Sequence, residues 1–207
     1  MKNKIITISR EFGSGGRELG KRMSDILGYS YYDRETVTEI AKRMKKDETY
    51  VSTAFEKGVF LGVPIHYNQT LAYVSPQEQD KIDLFVETKN LLTEFAEKGN
   101  CIIVGRAAGI FLHEYQPFNI FVYADMAHRV QRCLERTHEY ETYTKEELED
   151  KIRRIDKDRA NYYGLVSKKP WGDKSGYHLC INTGGREIKQ LAPMVATYAK
   201  EWFTTPL

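Results

Sequence analysis

The chain predicts an α/β fold in which a parallel sheet is covered by helices on both faces, and three observations carry that expectation. Short apolar runs recur along the sequence, at Ile5–Ile8, Cys101–Val104 and Phe118–Tyr123, and they are too uniformly apolar to leave one face in water. Stretches of helical periodicity separate them, which is the pattern of strands joined by crossover helices. Glycines or polar residues then follow the runs, at Gly13–Arg17, Asp33, Gly105–Arg106 and Asn182–Gly185. In a parallel sheet these positions share the carboxyl edge, where such folds bind ligands.

The first strand, Ile5–Ile8, leads into Gly13-Ser14-Gly15-Gly16 and then into an amphipathic stretch with Leu19, Met23, Ile26 and Leu27 at helical spacing. Glycines permit the positive φ that lets successive N–H groups converge, and a helix start adds unpaired donors and a positive dipole end. Strand, glycine turn and helix together form an anion cradle whose natural guest is phosphate. A tight strand-to-helix connection also uses glycine, and the strict pattern G-x-x-x-x-G-K-[ST] is not met. Aligned on its last glycine, the pattern starts at Arg10 and places Gly15 as the second glycine. Gly16 then stands where the lysine belongs, Arg17 follows it, and Glu18 lies two residues beyond.

Gly28 is placed to end the first helix. Tyr29–Tyr32 reads as a short strand, and Asp33 after it is either a cap for the next helix or a ligand residue. That next helix carries Val37, Ile40, Ala41 and Met44 as its stripe. Between 47 and 78 the periodicity weakens, aromatics accumulate and glycine and proline punctuate the run. This segment is expected to be an insert over the main body, serving as a substrate flap or a dimer contact. A helix over 79–98 is expected to bury Ile82, Phe85, Val86, Leu92 and Phe95, and Gly99-Asn100 stops it. Behind the strand at 118–123, Val130, Cys133 and Leu134 mark a helix with Arg129, Arg132 and Arg136 on its other faces. Residues 144–163 alternate in charge around Leu148, Ile152 and Ile155, and Thr144 with Glu147 forms a capping box. Tyr177–Ile181 is the last strand, and the closing helix turns Ile188, Leu191, Val195 and Tyr198 to the core.

A chain of 207 residues suits one domain, and 41% hydrophobic with 29% charged residues is ordinary for a globular protein. The formal net charge of +2 gives no support for general nucleic-acid binding, so anion binding has to come from local clusters. Three widely spaced cysteines (Cys101, Cys133, Cys180) form no CxxC pair and read as reduced residues rather than a disulfide or zinc framework. No apolar leader and no long apolar span are visible, so the expected location is cytoplasmic with no membrane association.

Phosphoryl transfer asks a protein for positive charge, donors and exclusion of water. Arginine supplies a planar, permanently charged fork that fits phosphate oxygens. Three places offer it: Arg17 in the glycine turn, Arg106 after a buried strand, and Arg153, Arg154 and Arg159 in the charged stretch. A solvated face with ion pairs such as Glu149–Arg153 is the alternative for the last group. It does not account for Arg106.

Ile5 to Gly20, Leu27-Gly28-Tyr29-Ser30-Tyr31-Tyr32-Asp33-Arg34-Glu35, Ile103-Val104-Gly105-Arg106, Phe121-Val122-Tyr123-Ala124 with Arg129 and Arg132, Arg154 to Tyr163, and Tyr177 to Thr183 together resemble the cytidylate-kinase-like branch of the P-loop nucleoside monophosphate kinases, over almost the whole chain. The resemblance implies a three-layer fold around a five-stranded parallel sheet, ATP with magnesium as donor, and a nucleoside monophosphate as acceptor. It implies a lid, here 144–170, with Arg154 and Arg159 as its charges, and an acceptor side that includes 47–78. Gly13, Ser14, Gly15, Gly16, Arg17 and Glu18 would hold the donor phosphates, with Glu18 the metal candidate, directly or through water. Arg106 and Asp33 would face the acceptor, and Asn182, Thr183 and Gly184 would border the base. The chain departs from the family at Gly16, where the lysine is missing, and at Val104 and Ala107, where carboxylates flank the Gly-Arg of true cytidylate kinases. Two other readings follow from these departures: a nucleotide-binding protein without catalysis, and a kinase of another small phosphorylated metabolite. Helices at 34–46 and 79–98 also offer surfaces for a homodimer.

Overall fold

Five runs of β-branched and aromatic residues form the sheet of the computed structural model, which describes residues 3–33, 35–56, 76–136 and 143–204. The strands are β1 (Ile5–Arg10), β2 (Ser30–Tyr32), β3 (Cys101–Val104), β4 (Phe118–Tyr123) and β5 (Leu179–Asn182). All pair in parallel in the order β2-β3-β1-β4-β5, with Ile8 opposite Val104 on one side and Ile120 on the other. Among the described residues eight α-helices connect or follow them: α1 (Gly16–Leu27), α2 (Glu35–Met44), α3 (Glu48–Glu56), α4 (Pro76–Lys98), α5 (Ala108–Phe111), α6 (Met126–Leu134), α7 (Lys145–Val166) and α8 (Ile188–Thr204). The expected α/β fold with a five-stranded parallel sheet is therefore present.

The two-residue period of a strand sorts its side chains into two layers. Ile6 and Ile8, Ile102 and Val104, and Phe118, Ile120 and Val122 pack with Leu19 and Met23 of α1 and Ile188, Ala192 and Val195 of α8. Ile5, Cys101 and Ile103 turn the other way, to α2, α3, α4 and Tyr162 and Tyr163 of α7. The capping box at Thr144 and Glu147 starts α7, and Gly28, at φ 69°, closes α1 through its N–H to Ser24 O.

Helix faces are where the expectations need correcting. In α4 the core face is Leu84, Thr88, Leu91, Leu92 and Phe95, a continuous 3.6-residue series. Ile82 and Val86 each lie two residues from Leu84, about 200° round the helix, and are 46% and 50% exposed. In α1 Ile26 is exposed, and Leu27 makes the core contact instead. In α8 the buried series is Ile188, Ala192, Val195, Ala196 and Ala199, leaving Tyr198 half exposed beside Phe118. Leu134 is exposed, whereas Arg129, assigned by its charge to an outer face, is buried. Residues 48–56 form regular helix with Val51, Ala54 and Phe55 inside, against the weakened periodicity read there. The part of the expected insert from 57 to 75, with Gly58, Gly62 and Pro64, lies outside the described residues, and Pro76 opens α4. Among those described, no helix is long and apolar enough to cross a membrane.

His178, just before β5, packs on the layer shared with α8. The His178 ring stacks on Phe118 and lies 4.7 Å from Trp202, and its Nδ1 accepts the Asn119 N–H at 2.9 Å. Burial lowers its pKa. A group depressed in the folded state stabilises it above the unfolded pKa, and that stability is lost as pH falls. Stability is therefore expected to decline as pH drops below about 6.5. In urea titrations across that range, His178→Asn is expected to flatten this part of the curve.

Candidate functional site

The carboxyl edge of β1 opens into the glycine turn. Glu11 N–H still bonds Val122 O at 3.0 Å, after which Gly13 and Gly15 take φ of 78° and 82°. The first α-helical bond of α1 is Leu19 N–H to Gly15 O at 2.9 Å, and the Gly15 cap offers no side chain to the first turn. The amides at the start of α1 are thus left to an outside acceptor. They border a cavity of about 450 Å³ lined by Gly13, Gly15, Gly16, Arg10, Arg17 and Arg132, among others.

The turn is held from beneath. Ser14 Oγ donates to Glu11 O at 2.8 Å, and Thr183 Oγ1 donates to Ser14 O at 2.6 Å, so both hydroxyls, fully buried, shape the loop. Arg132 donates to Gly13 O and Thr183 O at 2.8 and 3.2 Å. Arg129 donates its Nε to Phe12 O at 2.7 Å and pairs with Glu11 at 3.1 Å and with Asp156 of α7. Asp156 also accepts the Phe12 N–H at 2.7 Å, and Arg159 donates to Arg10 O at 2.9 Å. Two side chains of α7 are therefore bonded to the loop backbone. Burial pushes the Glu11 carboxyl above its ordinary value, against the opposing pull of Arg129. A Cβ at Gly13 would lie 2.9 Å from Arg129 O, at a φ that L residues rarely adopt. Gly13→Ala is expected to destabilise the protein by about 1–3 kcal/mol, read as a lower urea midpoint at unchanged slope.

Beside the loop, two arginines engage one carboxylate. Asp33 follows β2, is buried, pairs with Arg17 and lies 3.8 Å from Arg10. Its side chain is taken by arginines. Gly105, Arg106 and Ala107 all have positive φ, at 83°, 57° and 49°, a strained turn that carries the Arg106 guanidinium over the Phe55 ring at 4.2 Å. Burial and the neighbouring Arg159 lower the Arg10 pKa, and Asp33 only partly offsets them. A second cavity of about 110 Å³ lies here, lined by Arg106, Phe55, Tyr162, Trp171 and also by Arg10, Arg17 and Arg159. The last three line the larger cavity as well. The two spaces meet at arginines.

Of the residues singled out in the sequence, Gly13, Gly15, Gly16, Arg17 and Arg159 line the larger cavity, and Arg106 lines the smaller. Glu18 lies on the flank, paired with Arg22 at 2.8 Å and with Arg136, and borders a separate cleft of about 410 Å³ that runs to Gly185. Asn182 Oδ1 accepts the Gly184 N–H at 2.9 Å. Arg154 is exposed on α7 and lines neither cavity. Among the described residues no group of three His, Cys, Asp or Glu is placed to hold a metal. Sequence reasoning gave no site role to Arg10, Arg132, Arg136 or Lys151, which all line the larger cavity. For Arg10 the available signal was a charge at the end of a buried strand, the same signal that marked Arg106.

Comparison with known proteins bears on the family and the fold. The model of the cytidylate kinase-like family matches residues 5–185. A cytidylate kinase of Haloarcula marismortui is 25% identical over 183 residues, 86% of this chain and 80% of that protein. Among solved structures, an uncharacterized protein from Eubacterium ventriosum superposes with a TM-score of 0.69 at 23% identity, covering 95% of this chain and 98% of that one. Shikimate kinase from Acinetobacter baumannii, solved with shikimate, gives 0.52 at 15% identity over 96% and 94% of the two chains. These structural likenesses speak for the fold.

Proposed function

We propose that this chain, which belongs to the cytidylate kinase-like family, transfers the terminal phosphoryl group of ATP to a nucleoside monophosphate. The observation that carries the reading is the pair of cavities sharing Arg10, Arg17 and Arg159. A glycine cradle for one phosphate chain and a separate arginine-lined pocket for another anion, joined at cations, suit in-line transfer between two phosphates. ATP supplies the phosphoryl group: an acceptor phosphate oxygen bonds to the terminal phosphorus as the bond to the ADP oxygen breaks.

The chain's own residues then have separate tasks. The amides of the glycine turn and of the first turn of α1 hold the donor phosphates, helped by Arg17. Arg106 and Asp33 serve the acceptor side, with Asp33 orienting the guanidinium of Arg17. Arg159, already tied to Arg10 O, places its charge over the junction, and Arg154 is the outer lid charge. Asn182, Thr183 and Gly184 border the base. Magnesium, when bound, neutralises donor charge. It would be held mainly by phosphate oxygens and water, and Glu18, which lies outside the donor cavity in pairs with Arg22 and Arg136, would reach it only by giving up one of those arginines.

The second reading, nucleotide binding without transfer, is favoured by Gly16 in place of the lysine and by the engagement of Arg17 with Asp33. One experiment separates the two. ATP turnover is followed by coupled ADP release against CMP, dCMP, UMP, AMP, GMP and small hydroxylated metabolites, alongside calorimetry of ATP binding. An acceptor well above background supports transfer. ATP binding with every acceptor silent supports the binder.

A further inference from the structure

Position 16, where a phosphate-binding lysine would begin, has no room for a side chain. A Cβ there would lie 2.6 Å from the Cβ of Arg10, 3.1 Å from its Cγ and 3.3 Å from the Cβ of Val122. The space above the first turn of α1 is filled by the stem of Arg10, which leaves the last position of β1. The same side chain governs a second glycine. A Cβ at Gly105 would run into Arg10 Nη1, so the guanidinium reaches the turn after β3. One side chain thus sets its stem against Gly16 in the donor loop and its guanidinium against Gly105 in the acceptor turn.

Its electrostatics are those of a cation awaiting an anion. The side chain is only 15% exposed, its nearest carboxylate is Asp33 at 3.8 Å, and Asp33 is in direct contact with Arg17. Burial, Arg159, Arg106 and Arg17 all act against its charge. An arginine keeps that charge regardless, and an incompletely compensated buried charge is costly. Arg10 nonetheless borders both cavities, so a phosphate oxygen entering either one supplies the missing negative charge.

We propose that Arg10 is the donor-phosphate cation of this protein: the charge that the family pattern places on a lysine at position 16 has moved to the end of β1, and Gly16 is bare to let it reach. The proposal rests on the nucleotide reading above and deepens it. The ligand class is the polyphosphate chain of a nucleoside triphosphate, contacted by a fork that also faces the acceptor pocket.

The test is a charge-relocation cycle, with magnesium-ATP binding read by calorimetry and folding read by circular dichroism and thermal melting. Arg10→Gly removes the cation, and Gly16→Lys alone forces a stem against Arg10. Each is expected to weaken ATP binding at least tenfold. The double variant Arg10→Gly/Gly16→Lys regenerates the G-x-x-x-x-G-K spacing in the vacated space and is expected to recover most of that loss. Arg10→Met keeps an apolar stem over Gly16 without the charge, so it tests the cation even where the glycine variant folds poorly. It is expected to melt as a folded protein and to bind ATP at least tenfold more weakly. Folded Arg10→Met that binds ATP like wild type overturns the proposal, as does a double variant no better than Arg10→Gly. A wild-type chain that binds no ATP overturns the nucleotide reading itself, and this assignment with it.

Discussion

Alanine at Arg17 is expected to slow phosphoryl transfer by about 10²–10³-fold, the usual loss when one preorganised donor to developing charge is removed. Arg17 lies in the first turn of α1, its side chain is 48% exposed, and it borders both cavities. Exposure of that order means little apolar burial is lost, so the melting temperature is expected to move by no more than a few degrees. Losing Arg17 also leaves Asp33 to Arg10 at 3.8 Å, which draws Arg10 towards the carboxylate and away from phosphate. The defect is therefore expected in kcat as well as in KM. Arg17→Lys should recover only part of the rate, because an ammonium keeps the charge and loses the fork. Coupled ADP release with the best acceptor checks this, and a kcat/KM close to wild type for Arg17→Ala would remove Arg17 from the machinery.

Arg129→Ala is expected to cost about 3–5 kcal/mol of stability, the range for breaking a buried ion pair from one side. Arg129 is 6% exposed and bonds Phe12 O, Glu11 and Asp156. Its removal takes from Glu11 its paired cation and leaves Asp156 with the Phe12 N–H and Arg159 at 3.8 Å. Burial already holds Glu11 above its ordinary range, with Arg129 opposing, so the variant's Glu11 is raised further. A group raised in the folded state stabilises the fold at low pH and loses that contribution as pH rises through its folded value. The deficit of Arg129→Ala relative to wild type should consequently shrink as pH falls towards about 4.5–5. Urea midpoints at neutral and acidic pH measure both effects, and a deficit under about 1 kcal/mol at neutral pH would contradict the structural account.

The layered sheet was legible because its signal is local: apolar runs of strand length, each followed by glycine or charge. Arg106 was legible for the same reason, since an arginine directly after Val104 and Gly105 is not explained by a helix surface. Arg129 was not. Amphipathic logic sends an arginine outwards, and here it is overruled by partners 117 and 27 residues away in sequence. Asp33 was left between capping and ligation because only tertiary structure brings Arg10 and Arg17 to it. The two-residue offset that exposes Ile82 and Val86 was present in the sequence. It was hidden because α4 is rich enough in apolar residues to suggest more than one face. Arg10 stood in the sequence as a charge at a strand end where the pattern has glycine, and its meaning depends on its packing against Gly16 and Gly105.

The bonds from Asp156 to the Phe12 amide and from Arg159 to Arg10 O make the shape of the loop and the seat of α7 a single equilibrium. Whatever free energy a guest spends in redrawing the loop is delivered to a helix of 22 residues, and by reciprocity anything that steadies that helix is returned to the guest as affinity. In this chain the glycine turn is half of a thermodynamic couple whose other half lies more than 130 residues later in the sequence.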